Sequence, residues 1–248
     1  MEVAEHYTIM KAGVPLIYVT SDLHGYPLEQ FQAMLQDAGF TENDFLFILG
    51  DVIDRGPEGV ELLRWIMDQT NMELILGNHE AMLLSCSFLF DPLTEENLDN
   101  LTEEHLILLK RWMKNGAEPT IEGLKKLMKE DPELVEGILE YLRDAPLFDV
   151  VDTGKTTFVL LHGGLENFDR KKRLSTYQPD EILWARPDLN TRYFNKATVI
   201  LGHTPTLYFG EEYRGKALHT DTWICIDTGA AAGLKPMLLR LDDMKEFY

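Results

Sequence analysis

Three short apolar runs, each breaking off into a loop loaded with Asp, His or Asn, constrain this chain more than any other feature. Leu16-Ile17-Tyr18-Val19-Thr20 leads into Ser21-Asp22-Leu23-His24-Gly25. Phe45-Leu46-Phe47-Ile48-Leu49 leads into Gly50-Asp51-Val52-Ile53-Asp54-Arg55-Gly56-Pro57, and Met72 to Leu76 leads into Gly77-Asn78-His79-Glu80. Short β-rich runs of this kind predict buried strands. Between the first two, Leu28, Phe31, Met34 and Leu35 recur at helical spacing over Pro27–Ala38, and Gly39 suits a helix C-terminus. After Pro57, Val60, Leu62, Leu63, Trp65, Ile66 and Met67 supply the apolar face of a second helix. Strand–loop–helix units in series predict an α/β fold with its loops gathered at the carboxyl ends of the strands, where open sheets bind ligands.

From about residue 88 to 146 the character changes. Asp91-Pro92-Leu93-Thr94-Glu95-Glu96 has the form of a helix start with an acidic first turn. Leu98, Leu101, Leu106, Leu108, Leu109 and Trp112 follow it at helical spacing, and further helices are predicted over Pro119–Lys129 and Pro132–Arg143, each opened by proline. This helical insertion carries few candidate metal ligands and is expected to pack beside the site as a cap. Strands return at Phe148–Asp152 and Thr156–Leu161, joined by the hairpin-like Thr153-Gly154-Lys155, and the second ends in His162-Gly163-Gly164. Ala197–Leu201 ends in Gly202-His203-Thr204-Pro205, and shorter strands follow at Ala217–His219, Trp223–Ile226 and Pro236–Leu241. No linker divides the chain, so one domain over 1–248 is expected.

The charge balance narrows the partners. With 23 Lys+Arg against 42 Asp+Glu, a net charge of −19 repels duplex nucleic acid, whose binding depends on neutralised phosphates. A compact phosphate group is another matter, because bound divalent cations reverse the sign of a pocket locally. Cys86 and Cys225 show no CxxC spacing, which fits a reducing cytoplasm better than a disulfide framework. Residues 1–15 lack the apolar run of a signal peptide, and no window has 18 consecutive apolar residues, so no membrane span is expected.

Taken one at a time, the loop residues have bland explanations. Asp in a turn after a strand caps backbone N–H groups, an Arg is a solvated charge, and a histidine is a satisfied core residue. Together they do not: two Asp-bearing and three His-bearing segments each follow an apolar strand directly. A mixed Asp/His/Asn set suits manganese, iron or zinc better than calcium or a structural zinc. The candidates are too many for one four-coordinate ion, and two ions sharing a carboxylate are a standard arrangement for phosphoryl hydrolysis.

Asp22-x-His24-Gly25, Gly50-Asp51-x-x-Asp54-Arg55-Gly56, Gly77-Asn78-His79-Glu80, His162-Gly163 and Gly202-His203, in that order, resemble the motifs of the calcineurin-like metallophosphoesterases. The likeness spans about residues 16–241. Within that family it is nearest the phosphoprotein phosphatase group, which includes bacterial serine/threonine phosphatases and symmetrical diadenosine tetraphosphate hydrolases. It implies central mixed β-sheets flanked by helices, and a catalytic centre of two divalent metal ions, manganese first, iron or zinc next. By this resemblance Asp22, His24 and His203 would hold one ion and Asn78 and His162 the other, with Asp51 bridging. His79 would give a proton to the leaving oxygen, oriented by Asp54, while Arg55 and Arg186 would bind phosphate. Trp112-x-x-Asn115-Gly116-Ala117-x-x-Thr120 resembles a segment of the bacterial members, which makes Asn115 a candidate substrate contact.

The expected activity is hydrolysis of phosphate monoesters, phosphoserine and phosphothreonine in proteins first, by hydroxide formed on the metals. The alternative is hydrolysis of dinucleoside polyphosphates. Leu76 favours that alternative, since protein phosphatases of this group usually carry arginine before Gly-Asn-His-Glu. A nuclease or a non-catalytic binding module fits less well: the chain is acidic, and no ligand is missing.

Overall fold

The computed structural model describes residues 15–91 and 100–248, together with the backbone of Thr8–Ile9. The reading of the N-terminus as free of a leader, and most of the helix start at 91–96 with Leu98, fall outside the described residues. In chain order the strands are β1 (Thr8–Ile9), β2 (Ile17–Thr20), β3 (Phe45–Ile48), β4 (Met72–Leu74), β5 (Phe148–Asp152), β6 (Thr157–Leu161), β7 (Ala197–Leu201), β8 (Leu218–His219), β9 (Trp223–Cys225), β10 (Leu238–Arg240) and β11 (Lys245–Phe247). The helices are α1 (Leu28–Asp37), α2 (Gly59–Met67), α3 (Asn78–Ser85), α4 (Glu103–Lys114), α5 (Glu118–Glu130), α6 (Pro132–Asp144) and α7 (Pro179–Leu183).

The strands form two mixed sheets, ordered β11-β10-β2-β3-β4 and β1-β5-β6-β7-β9-β8. β2, β3 and β4 run parallel to one another, as do β6, β7 and β9. The period-2 alternation of a strand explains why these segments are apolar throughout. Ile17 and Val19 of β2 and Phe47 of β3 join Phe158, Leu160 and Ile200 of the other sheet in one buried layer. Tyr18, Leu46 and Ile48, pointing the opposite way, pack with Phe31 of α1, Leu62, Leu63 and Ile66 of α2, and Leu124, Ile138 and Leu142 of the insertion. The outer face of the six-stranded sheet is covered by a largely irregular stretch that brings Leu165, Leu174, Tyr177, Ile182 and Tyr193 onto Val159, Leu161 and Val199. Each such side chain, fully buried, contributes about 1.5–3 kcal/mol.

The helices predicted over 27–38, from Val60 to Met67, over 119–129 and over 132–143 form within a residue or two of those bounds, but Leu101, expected within a helix, lies before one: the helix that carries Trp112 starts at Glu103, where the Thr102 hydroxyl caps the His105 N–H. β10 lies within the strand expected at Pro236–Leu241, whereas its hairpin partner β11, the two-residue β1 and the short α7 were not legible in the sequence. Among the described residues, no helix is long and apolar enough to cross a membrane. The layering places the loops after β2, β3, β4, β6 and β7 at one edge of the paired sheets.

Candidate metal centre

Those five loops converge in unusual backbone conformations. Asp22, His24, Asp51, Asp54, Arg55 and His203 all have positive φ, between 44° and 69°. A left-handed non-glycine residue costs on the order of 1–3 kcal/mol and persists only where its surroundings over-determine it. Here the loops are laced together by main-chain hydrogen bonds: Asp22 N–H donates to Gly50 O (3.1 Å), His24 N–H to Asp51 O (2.9 Å) and Gly25 N–H to Val52 O (2.8 Å). A further clamp comes from Glu80, which is fully buried at the start of α3. Its Oε2 accepts from Asp51 N–H (2.8 Å) and Gly77 N–H (3.2 Å), and its Oε1 from Val52 N–H (2.8 Å) and Ile53 N–H (3.3 Å). Gly50 and Gly77 meet backbone to backbone, and a β-carbon on Gly50 would stand 2.4 Å from the Gly77 Cα.

The side chains these loops present are buried and turned toward Asp51. His24 Nδ1–H donates to the Ile53 carbonyl (3.0 Å) and His162 Nδ1–H to the Leu49 carbonyl (2.6 Å). That fixes both tautomers and aims both Nε2 lone pairs inward, the arrangement that prepares histidine for a metal. His24 Nε2 lies 3.5 Å from Asp51 Oδ2, and His162 Nε2 lies 3.4 Å from Asp51 Oδ1. His162 Nε2 also lies 2.8 Å from the Asn78 amide oxygen. The His203 Nε2 is buried with no hydrogen-bond partner, while its backbone N–H donates to Asp22 Oδ2 (2.9 Å).

Among the described residues, the His and Asp atoms able to hold a metal fall into two groups, His24–Asp51–His79 and Asp51–His162–His203, each with its atoms within 4.8 Å of one another. Asp51 belongs to both. His203 thus groups with His162, whereas the resemblance paired it with Asp22 and His24. Burial, reinforced by the charges of Asp22 and Glu80, holds Asp51 well above the usual carboxylate range, and burial raises Asp22. Burial also lowers His24 and His203. A buried, inward-facing imidazole nitrogen without a partner, as at His203, is unfavourable unless something positive stands before it. The donor set fits divalent cations, which would restore the anionic carboxylates and neutral imidazoles.

Beside this cluster, His79 Nδ1–H donates to Asp54 Oδ2 (2.5 Å), and Arg55 Nη2 donates to His79 Nε2 (3.1 Å). Burial, then the Arg55 guanidinium, pushes the His79 imidazole down to about 2, so it is neutral in this arrangement. Burial pushes Asp54 up to about 6, against the lowering effect of hydrogen bonds from Thr120 and Trp112. Arg55 is exposed at the rim. Arg186 donates through Nη1 to Thr204 Oγ1 (2.9 Å). Asn115 turns its side-chain amide onto its own helix, donating to Arg111 O (2.9 Å), and offers only its carbonyl to Arg55 Nε (3.4 Å).

Sequence reasoning gave no role to four buried groups around the site: Glu80, Trp112, Thr120 and Asp227. Glu80 was quoted within its motif, and its place at the third residue of a helix after Gly77 was the available signal. Trp112 and Thr120 were quoted as the ends of a segment in which Asn115 was given the role. Asp227, also buried, accepts from Gly229 N–H (3.0 Å), and its carboxyl is held well above the usual range by burial and by nearby Asp22.

Comparison with known proteins places the fold among known ones. The calcineurin-like phosphoesterase family model matches residues 15–230. The asymmetrical bis(5'-nucleosyl)-tetraphosphatase PrpE of Bacillus subtilis is 26% identical, covering 87% of this chain and 86% of that protein. The symmetrical bis(5'-nucleosyl)-tetraphosphatase of Nitrosospira multiformis is 26% identical over 93% and 94% of the two chains. Among solved structures, one provisionally assigned as a diadenosine tetraphosphatase superposes with a TM-score of 0.61 at 15% identity, covering 97% of this chain and 95% of its own.

Proposed function

The chain belongs to the calcineurin-like phosphoesterases, hydrolases of phosphate esters, and from that premise we propose that it cleaves dinucleoside polyphosphates at a phosphoanhydride bond. The observation that carries the substrate choice is likeness along most of both chains to two bis(5'-nucleosyl)-tetraphosphatases. This reverses the order expected from sequence, which put phosphoserine and phosphothreonine first. Leu76, in place of the arginine usual in protein phosphatases of this group, points the same way.

In this reading Asp22, His24, Asp51, Asn78, His162 and His203 would hold two divalent cations. Such a pair supplies Lewis acidity toward phosphoryl oxygens and lowers the pKa of a coordinated water. The rest falls to the chain's own residues. Arg55 and Arg186 bind and orient the phosphate oxygens through charge-assisted, forked hydrogen bonds. Without substrate, an Arg55 N–H occupies the His79 Nε2 lone pair. A phosphate anion that draws Arg55 to itself frees that nitrogen and adds negative charge beside it, and both favour the imidazolium. His79 then gives the Nε2 proton to the leaving oxygen, while Asp54 keeps the ring oriented through Nδ1. Water adds to one phosphorus and loses a proton to solvent, the bond to the bridging oxygen breaks, and the leaving phosphate departs with the proton from His79.

The test is a substrate panel on metal-stripped, manganese-reloaded protein. Diadenosine tetraphosphate is expected to show a kcat/KM at least about a hundredfold above that of phosphoserine and phosphothreonine peptides, close to 3 kcal/mol of transition-state preference. The reverse ranking would return the phosphoprotein reading to first place. Product analysis then separates symmetrical cleavage, giving two nucleoside diphosphates, from asymmetrical cleavage, giving a mono- and a triphosphate.

A further inference from the structure

The segment Trp112–Thr120 has no part in the chemistry so far, yet it makes the closest contacts of the insertion with the site. Trp112 is the one buried residue of the twelve on α4. Its Nε1–H donates to Asp54 Oδ2 (2.7 Å), the same oxygen that accepts His79 Nδ1–H. Thr120, buried near the start of α5, donates its hydroxyl to Asp54 Oδ1 (2.5 Å) and accepts Asp54 N–H (2.9 Å). Both carboxylate oxygens and the backbone N–H of this fully buried residue are therefore committed. The corner between the two helices grips the next residue as well. Gly116 O accepts Arg55 N–H (2.8 Å), and a β-carbon on Gly116 would stand 2.8 Å from Arg55 Cγ.

A core tryptophan needs some acceptor for its indole N–H, and a backbone carbonyl usually serves. Here the acceptor is a carboxylate shared with a histidine and pinned by a hydroxyl from the neighbouring helix. A carboxylate held by His79 alone could turn about its terminal torsion, which is broad and roughly two-fold. Held from three sides, it has one orientation.

We propose that Trp112 and Thr120 are positioning residues: from the helical insertion they lock the Asp54 carboxylate in the orientation that keeps His79 Nε2 aimed at the leaving oxygen. This rests on the reading of His79 as the proton donor. Residues that act as one unit lose their effects non-additively, and a donor matters most when the leaving group is poor.

Trp112→Phe keeps the ring and removes the N–H; Thr120→Val keeps the shape and removes the hydroxyl; Thr120→Ser restores it. On manganese-loaded enzyme, Trp112→Phe and Thr120→Val are expected to lower kcat for phenyl phosphate about tenfold. For dinitrophenyl phosphate the loss is expected to stay below about twofold, with KM unchanged and Thr120→Ser near wild type. In a His79→Ala background neither substitution lowers kcat further. Independently of turnover, the downfield proton resonance of the short His79 Nδ1–H hydrogen bond, identified by its loss in His79→Ala, shifts or broadens in Trp112→Phe and Thr120→Val but not in Thr120→Ser. Equal losses for both leaving groups, losses additive with His79→Ala, or an unmoved resonance would overturn the positioning role. If His79→Ala itself shows no leaving-group dependence, the proton-donor reading falls and takes this proposal with it. If His79→Ala shows the dependence and the other two variants do not, the positioning role alone is wrong.

Discussion

The strand-end loops and the helical insertion meet at Asp54, but they are built on different terms. The loops hold six left-handed residues and buried charged groups, kept in place by mutual hydrogen bonds and the Glu80 carboxylate. In its described part from Glu103 to Asp144 the insertion is regular helix with ordinary caps: the Thr102 hydroxyl accepts from His105 N–H (3.3 Å) and the Asp131 carboxylate from Leu134 N–H (3.0 Å). Leu106 and Ile107 of α4 lie open to solvent at 56% and 66% exposure, while the corner from Trp112 to Thr120 touches Asp54 and Arg55. In one region nearly every residue is constrained by chemistry; in the other, the constraint is concentrated in a few side chains. Substitutions should therefore cost far more per residue in the loops, and the contrast can be broken at several points.

The largest effect is expected at Asp51. Asp51→Asn removes a carboxylate shared by both ligand groups, and metal content after gel filtration should fall together with activity, by about a thousandfold or more. Unchanged occupancy would dissolve the idea of a shared ligand. His79→Ala should retain its metal yet lose about a hundred- to ten-thousandfold in kcat on alkyl phosphates. On diadenosine tetraphosphate the loss should be smaller, because the departing phosphate is a better leaving group; an equal loss on both would contradict proton donation. Glu80→Gln turns an acceptor into a donor facing two backbone N–H groups, so urea unfolding should show a loss of about 2 kcal/mol. A change below about 0.5 kcal/mol would mean that the loops hold their shape without this clamp. At the small end, Ile107→Ser on the open face of α4 should shift stability by no more than about 0.5 kcal/mol. A larger loss would show that this face is covered in solution.

How far the sequence revealed this arrangement follows from the same contrast. β2, β3, β6 and β7 were legible because strands buried on both faces are apolar at every position, and the loops because their Asp, His and Asn residues directly follow those runs. The hairpin strand Lys245–Phe247 carries no such run. The stacking of two sheets on one apolar layer cannot be read from single-strand periodicity, since inward and outward positions of β2 are equally apolar. Trp112 and Thr120 stayed hidden because an indole on an apolar helical stripe looks the same whether its N–H meets a carbonyl or Asp54. Asn115, the candidate chosen from that segment, is the residue whose side chain folds back onto its own helix. The grouping of His203 with His162 depends on the pairing of β6 with β7, which places their carboxyl ends side by side.

The contact between Gly50 and Gly77 carries a consequence for any pair of ions seated here. The peptide segments bearing Asp51 and Asn78 abut without an intervening side chain, so neither can slide relative to the other without breaking the main-chain lattice. The separation of two neighbouring cations would then be set by the covalent frame of the protein rather than by the rotamers of its ligands. Replacing one metal with another of different radius should strain the coordination bonds before it moves the scaffold.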